Sequence, residues 1–182
     1  MSASSNLDAL GPPELKVAGL SVWVHDRPYA GSEEPYDADW LTITAHCDDG
    51  GASVFVRGAF VTSSALERFA EGCDRLHSNL AGRAWLASDE PNLTVTLEAT
   101  DSVGHLLAIV EIAPDHLSQE HRFEFQIDQT WLLDIARHCR AILGRYPKPH
   151  HSQGRSNKPP AADERGGHEG MEWLWFVSAA RG

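Results

Sequence analysis

The stretch Trp40-Leu41-Thr42-Ile43-Thr44-Ala45-His46-Cys47-Asp48-Asp49-Gly50-Gly51-Ala52-Ser53-Val54-Phe55-Val56 decides the fold class. Leu41, Ile43, Ala45 and Cys47 recur every second residue, the period that puts apolar side chains on one side of a β-strand. Val54 and Val56 resume the alternation, which continues to Phe60. Between the runs, the Asp-Gly and Gly-Gly pairs supply the positive φ angles that a tight hairpin turn requires. The stretch therefore reads as two antiparallel strands with one buried face.

Working outward, the same alternation appears in Leu15 and Val17, then Leu20, Val22 and Val24 around Gly19, which reads as one strand. A later group comprises Trp85-Leu86, then Leu93, Val95 and Leu97, then Leu107, Ile109 and Ile112, then Phe123, Phe125 and Ile127. Turn chemistry separates these runs at Asp89-Glu90-Pro91-Asn92, Asp101-Ser102-Val103-Gly104 and Pro114-Asp115. Two segments carry helical spacing instead. The first opens with Ser64 and Glu67 in capping-box spacing, places Leu66, Phe69, Ala70, Cys73, Leu76 and Leu80 along one stripe, and stops at Gly82. The second is capped by Asp128 or Thr130, and its stripe runs Trp131, Leu132, Ile135, Cys139, Ile142, Leu143 and Tyr146 up to Pro147. The expected fold is α+β: a single twisted antiparallel sheet of about seven strands, three before the first helix and four after it, with both helices packed on one face. Residues 1–13 read as a flexible lead-in, 14–147 as one domain, and 148–182 as a disordered tail with little apolar content to offset the entropy of ordering. The late run Met171 to Val177 is the one apolar interruption in that tail.

Composition narrows the function classes. The 182 residues include 15 Lys+Arg against 26 Asp+Glu, a formal charge of −11, and this balance opposes binding to nucleic acid or anionic lipid. No stretch approaches the roughly 20 apolar residues of a membrane helix, and the N-terminus lacks the basic and apolar regions of a secretory signal, so the expectation is a cytoplasmic protein. Cys47, Cys73 and Cys139 are odd in number and set in apolar patterns, as reduced core thiols are. Cys73 and His77, and Asp134 and His138, have metal-ligand spacing on a helix, but no further ligand motif accompanies either pair; the first reads as core and the second as a solvated pair. No metal or cofactor is expected. A Gly-x-Ser-x-Gly elbow and a phosphate-binding glycine loop are both missing, which leaves no catalytic residues to name.

The densest local feature is acidic. Glu33, Glu34, Asp37, Asp39, Asp48 and Asp49 stand close in sequence with Trp40 among them, the combination of charge and aromatic anchor that suits a basic protein partner. These seven residues are the candidate binding surface. Two other readings compete: a small hydrolase or lyase using His46 or His105 with a carboxylate in a cleft, and a regulatory module binding through an open apolar sheet face.

The run Asp37-Ala38-Asp39-Trp40-Leu41, the helix end Leu80-Ala81-Gly82-Arg83-Ala84, the string Ile127-Asp128-Gln129-Thr130-Trp131-Leu132 and the closing Tyr146-Pro147 together resemble the small bacterial proteins grouped as WapI-type immunity proteins, over about residues 15–147. That resemblance implies a non-enzymatic inhibitor that binds the toxic domain of a contact-dependent toxin, often a nuclease, and protects the cell that makes it. A nuclease presents basic surface to its substrate, so the acidic balance of this chain accords with such a partner.

Overall fold

A computed structural model of the chain describes Leu7, residues 9–87 and residues 89–149. The remainder of the expected tail, including Met171 to Val177, lies outside the described residues, as do residues 1–6 of the lead-in.

The quoted stretch folds as expected. Strand β3 (Trp40–Asp49) and strand β4 (Ala52–Thr62) form a long antiparallel hairpin, with Asp49 opposite Ala52. Gly50 and Gly51 take φ angles of 56° and 100° in open space, which glycine adopts without strain. Upstream, however, the run around Gly19 is two strands: β1 (Leu15–Val17) turns through Ala18 and Gly19 and pairs antiparallel with β2 (Leu20–Asp26). Ala18 carries the positive φ of 50° there, a conformation that no Gly or Asn at its position advertises. After β4 come α1 (Ser63–Asn79), β5 (Arg83–Leu86), β6 (Leu93–Ala99), β7 (His105–Ile112), β8 (His121–Asp128) and α2 (Thr130–Arg145).

The α+β class holds, but the single seven-stranded sheet does not. The eight strands form two separate four-stranded antiparallel meanders, β1-β2-β3-β4 and β5-β6-β7-β8, each followed by a helix. The chain passes directly from β4 into α1, and β5 then pairs with β6 rather than with a strand of the first sheet. Nor do the helices cover one face of one sheet. α1 packs on α2, on β5 and on the end of β4, while α2 reaches β1 and β8, so each helix touches strands of both sheets. One continuous core results, with Val22, Ile43 and Val56 from the first sheet, Val95, Leu106 and Val110 from the second, and Phe69, Leu76, Leu132 and Ile135 from the helices.

Local details revise the helix ends. The cap of α1 is Thr62, whose hydroxyl accepts the Ala65 N–H at 3.1 Å, and not the expected Ser64–Glu67 box; Leu80, at φ 50°, closes the helix two residues before Gly82. The N-cap of α2 is Gln129, which makes no side-chain capping bond, rather than Asp128 or Thr130; Asp128, one residue earlier, accepts the Thr130 N–H at 2.8 Å, and the hydrogen bonds from Thr130 hold its carboxyl below the usual carboxylate range. Trp131 leaves the expected stripe and is exposed, whereas Leu132, Ile135, Cys139 and Ile142 are buried. All three cysteines are free and buried. Burial pushes the Cys47 and Cys139 thiols up to about 12 and Cys73 higher still, so they pack as small apolar groups.

The two sheets touch between β4 and β7, and the β1–β2 turn also meets Phe125 of β8. A methyl group at Gly19 would lie 2.6 Å from Cζ of Phe125 and closer still to the Asp48 carbonyl oxygen. Gly19→Ala is accordingly expected to destabilise the fold by about 1–3 kcal/mol through overpacking. Gly144→Ala, on an exposed turn of α2 with nothing nearby, should stabilise it by about 0.4–1 kcal/mol. Urea midpoints of the two variants check both signs.

Candidate partner-binding site

The seven candidate residues fall into two groups at the two ends of β3. Asp37 and Asp39 occupy a 3-10 turn just before β3, and Asp48 and Asp49 lie at its far end. Eight strand residues, Trp40 to Cys47, separate the groups, which puts them about 30 Å apart at ~3.3 Å per residue. Glu33, Glu34 and Asp37 are exposed, as are Asp48 and Asp49. Asp39 and Trp40 are not: they keep 6% and 7% of their surface, and Trp40 meets the Tyr36 ring edge-on at 5.8 Å between centroids.

The turn end of β3 carries the more elaborate arrangement. A cleft of about 350 Å³ opens there, with Tyr36, Asp39, Ser64, Arg68, Asp89 and Lys148 in its walls. Tyr36 is 53% exposed, and its hydroxyl donates to Asp89 Oδ2 at 2.5 Å. That bond, reinforced by the charges of Asp89, Glu90 and Asp37, pushes the Tyr36 phenol up to about 12. The turn before β6 thus adds Asp89 and Glu90 to the acids of residues 33–37. In sequence these two residues are only a turn signal before Pro91, more than fifty positions away from Tyr36, and nothing in a linear reading joins them to it.

Asp39 has a second task. Because β4 runs into α1 without a loop, the first N–H groups of the helix fall inside the protein. Asp39 Oδ2 accepts the Ser64 N–H at 3.1 Å, beside the Thr62 cap. Its other oxygen, Oδ1, is buried and has no hydrogen-bond partner among the described residues. Arg27, the one base in the acidic stretch, binds the neighbouring structure together. Its Nη2 donates to Ser63 Oγ at 2.6 Å and to the carbonyls of Tyr146 and Pro147 at 3.1 and 2.8 Å, which brings the chain beyond α2 to the cleft. Lys148 then pairs with Glu67 on α1.

At the opposite end, a wider cleft of about 620 Å³ is lined by Trp23, His46, Asp48, Ser53 and Phe55. His46 Nε2 lies 2.8 Å from Ser53 Oγ across the hairpin, so its hydrogen-bond partner is a hydroxyl and not Asp48. The other histidine of the hydrolase reading, His105, does meet a carboxylate, Asp101 at 2.5 Å. That pair sits on an exposed turn, where Asp101 also accepts the N–H groups of Val103 and His105. On helix α2, Asp134 pairs with Arg137 at 2.6 Å rather than with His138. No group of three His, Cys, Asp or Glu side chains among the described residues has the arrangement of a metal site. The outer face of the second sheet exposes Trp85 at 59%, but the ion pairs Arg83–Glu98 and Arg122–Glu111 cross the same face and divide its apolar area.

Residues 15–147 match the immunity protein WapI-like family. The chain belongs to that family. No curated protein and no solved structure matches it. The match begins with β1 and ends at Pro147, so in this WapI-like protein it takes in both sheets, both helices and the acidic turn, while Lys148 and Pro149 of the cleft lie just past it. None of the described helices is long and apolar enough to cross a membrane.

The Tyr36–Asp89 contact is open to direct measurement. Donation requires the phenolic proton, so the contact is complete below the ordinary phenol value of 10.0 and is lost as pH rises through about 12. Ultraviolet titration should show one tyrosine ionising near the upper value. Tyr36→Phe should abolish that step and Asp89→Asn should lower it; a step that survives Tyr36→Phe would assign it to another tyrosine.

Proposed function

We propose that this chain is an immunity protein that neutralises a cognate protein toxin by binding it, without catalysis, in the cytoplasm of the cell that makes both. Membership of the WapI-like family supports the immunity role. The observation that carries the binding mode is the gathering of Asp37, Asp89 and Glu90 around the exposed Tyr36, with Glu33 and Glu34 on the adjoining loop. An amphipathic ring bordered by like charges combines buried contact area with electrostatic steering, and it selects partners of opposite sign. A toxin that acts on nucleic acid presents such a basic surface, because its substrate affinity comes from Lys and Arg. Covering that surface with acids would exclude the substrate.

Of the seven residues first considered, Glu33, Glu34 and Asp37 are assigned to direct contact. Asp39 and Trp40 support that surface from beneath, as the buried wall of the cleft and the edge contact of Tyr36. Asp48 and Asp49 would join the same interface only if it ran the length of the first sheet.

Calorimetry with the toxin domain encoded beside this gene tests the reading. Reversing Glu33, Glu34 and Asp37 to Lys together should weaken binding by about a hundredfold or more at low salt, with a smaller effect at 0.5 M NaCl, whereas reversing Asp48 and Asp49 should change it by less than threefold. Equal affinity of both variants and the parent would sink the assigned surface.

A further inference from the structure

Asp39 is the least economical residue of the fold. It keeps 6% of its surface, one carboxylate oxygen accepts the Ser64 N–H, and the other has no hydrogen-bond partner among the described residues. A buried carboxylate oxygen left unmatched loses its hydration without replacement. Helix capping alone does not account for an acid here, because a neutral side-chain oxygen does the same work one turn edge away: Thr62 Oγ1 holds the Ala65 N–H at 3.1 Å. The second oxygen belongs to a residue that forms part of the wall of the 350 Å³ cleft. Tyr36, Arg68 and Lys148 stand exposed at the same cleft, Tyr36 bonded to Asp89 and Lys148 paired with Glu67.

We propose that this cleft is the receptor for one arginine side chain of the protein partner, whose guanidinium donates to Asp39 Oδ1. The inference rests on the binding role proposed above and makes it specific. Arg68 and Lys148 also line the cleft, so the preference for a cation over an anion belongs to its Tyr36 and Asp39 side, for two reasons. The helix N-terminus that would attract an anion is already filled by the Asp39 carboxylate itself, and Asp37, Asp89 and Glu90 set a negative potential around Tyr36. Arginine fits better than lysine because its guanidinium is more weakly hydrated and loses less on entering a partly dry site. Its planar fork can donate to Asp39 Oδ1 and to a second acceptor such as the Asp89 carboxylate. The Tyr36 ring at the cleft offers a face on which the guanidinium can stack.

The test uses isotope-labelled full-length protein and N-acetyl-arginine amide as the probe, with N-acetyl-citrulline amide as its uncharged match. Expected are saturable NMR shifts at the Tyr36, Ser64 and Ala65 amides with the arginine probe, at least tenfold weaker binding of the citrulline probe, and loss of the difference in Asp39→Asn. That variant keeps an oxygen for the Ser64 N–H, and a thermal melt checks its fold. Arg68→Glu, on an exposed position, is the second variant and should tighten the arginine probe severalfold. No saturation, equal binding of the two probes, or unchanged binding in both variants would overturn the proposal. The toxin domain separates this outcome from the broader reading. If it binds the parent and Asp39→Asn equally while the Glu33, Glu34 and Asp37 reversal abolishes binding, the acidic surface stands and the arginine receptor falls. If it binds neither parent nor variants, the immunity reading fails, and the probe titration still decides the cleft.

Discussion

A helix that starts inside a protein must find acceptors for its first N–H groups, and the absence of a loop between β4 and α1 imposes that requirement at the centre of this fold. Thr62 ends the strand and caps the helix in the same residue. Asp39 arrives from the 3-10 turn before β3 to take the Ser64 N–H, and Arg27 comes from beyond β2 to donate to Ser63. Three separate segments are thereby fixed at one point. The same arginine holds the carbonyls of Tyr146 and Pro147, so the exit from α2 is anchored there too. The cleft is the space left where these segments converge, and its chemistry is set by the groups that the helix start brought together.

Much of the fold was open to reading from the chain itself, and the reasons are local. The Asp48–Gly51 turn, the β3–β4 alternation and the buried stripe of α1 all depend on residues within one or two turns of each other. What escaped was pairing. Alternation says that a strand has an inner face; it does not say which strand lies beside it. The division into two sheets therefore has no signature in any single stretch. The β1–β2 turn was hidden because Ala18 supplies the left-handed residue, while Gly19, read as part of one continuous strand, serves to admit Phe125.

The site followed the same division. Density of acids in sequence suggested one surface, yet a strand of ten residues carries its two ends far apart, and the density belongs to the one-dimensional chain only. Asp39 looked like its neighbours in composition but is turned inward by the 3-10 turn. Asp89 and Glu90 looked like punctuation and stand instead beside Tyr36. Side-chain identity was legible throughout, whereas the company each side chain keeps required the fold.

The tip of the β3–β4 hairpin has a practical use. Gly50 and Gly51 project into open space on backbone angles that no neighbouring side chain constrains, a whole strand's length from Tyr36. A fluorescent reporter or an affinity tag inserted between them would ride on the rigid ladder without touching the acidic mouth. The molecule therefore comes with its own handle, placed where immobilisation on a sensor leaves the opposite pole facing solution.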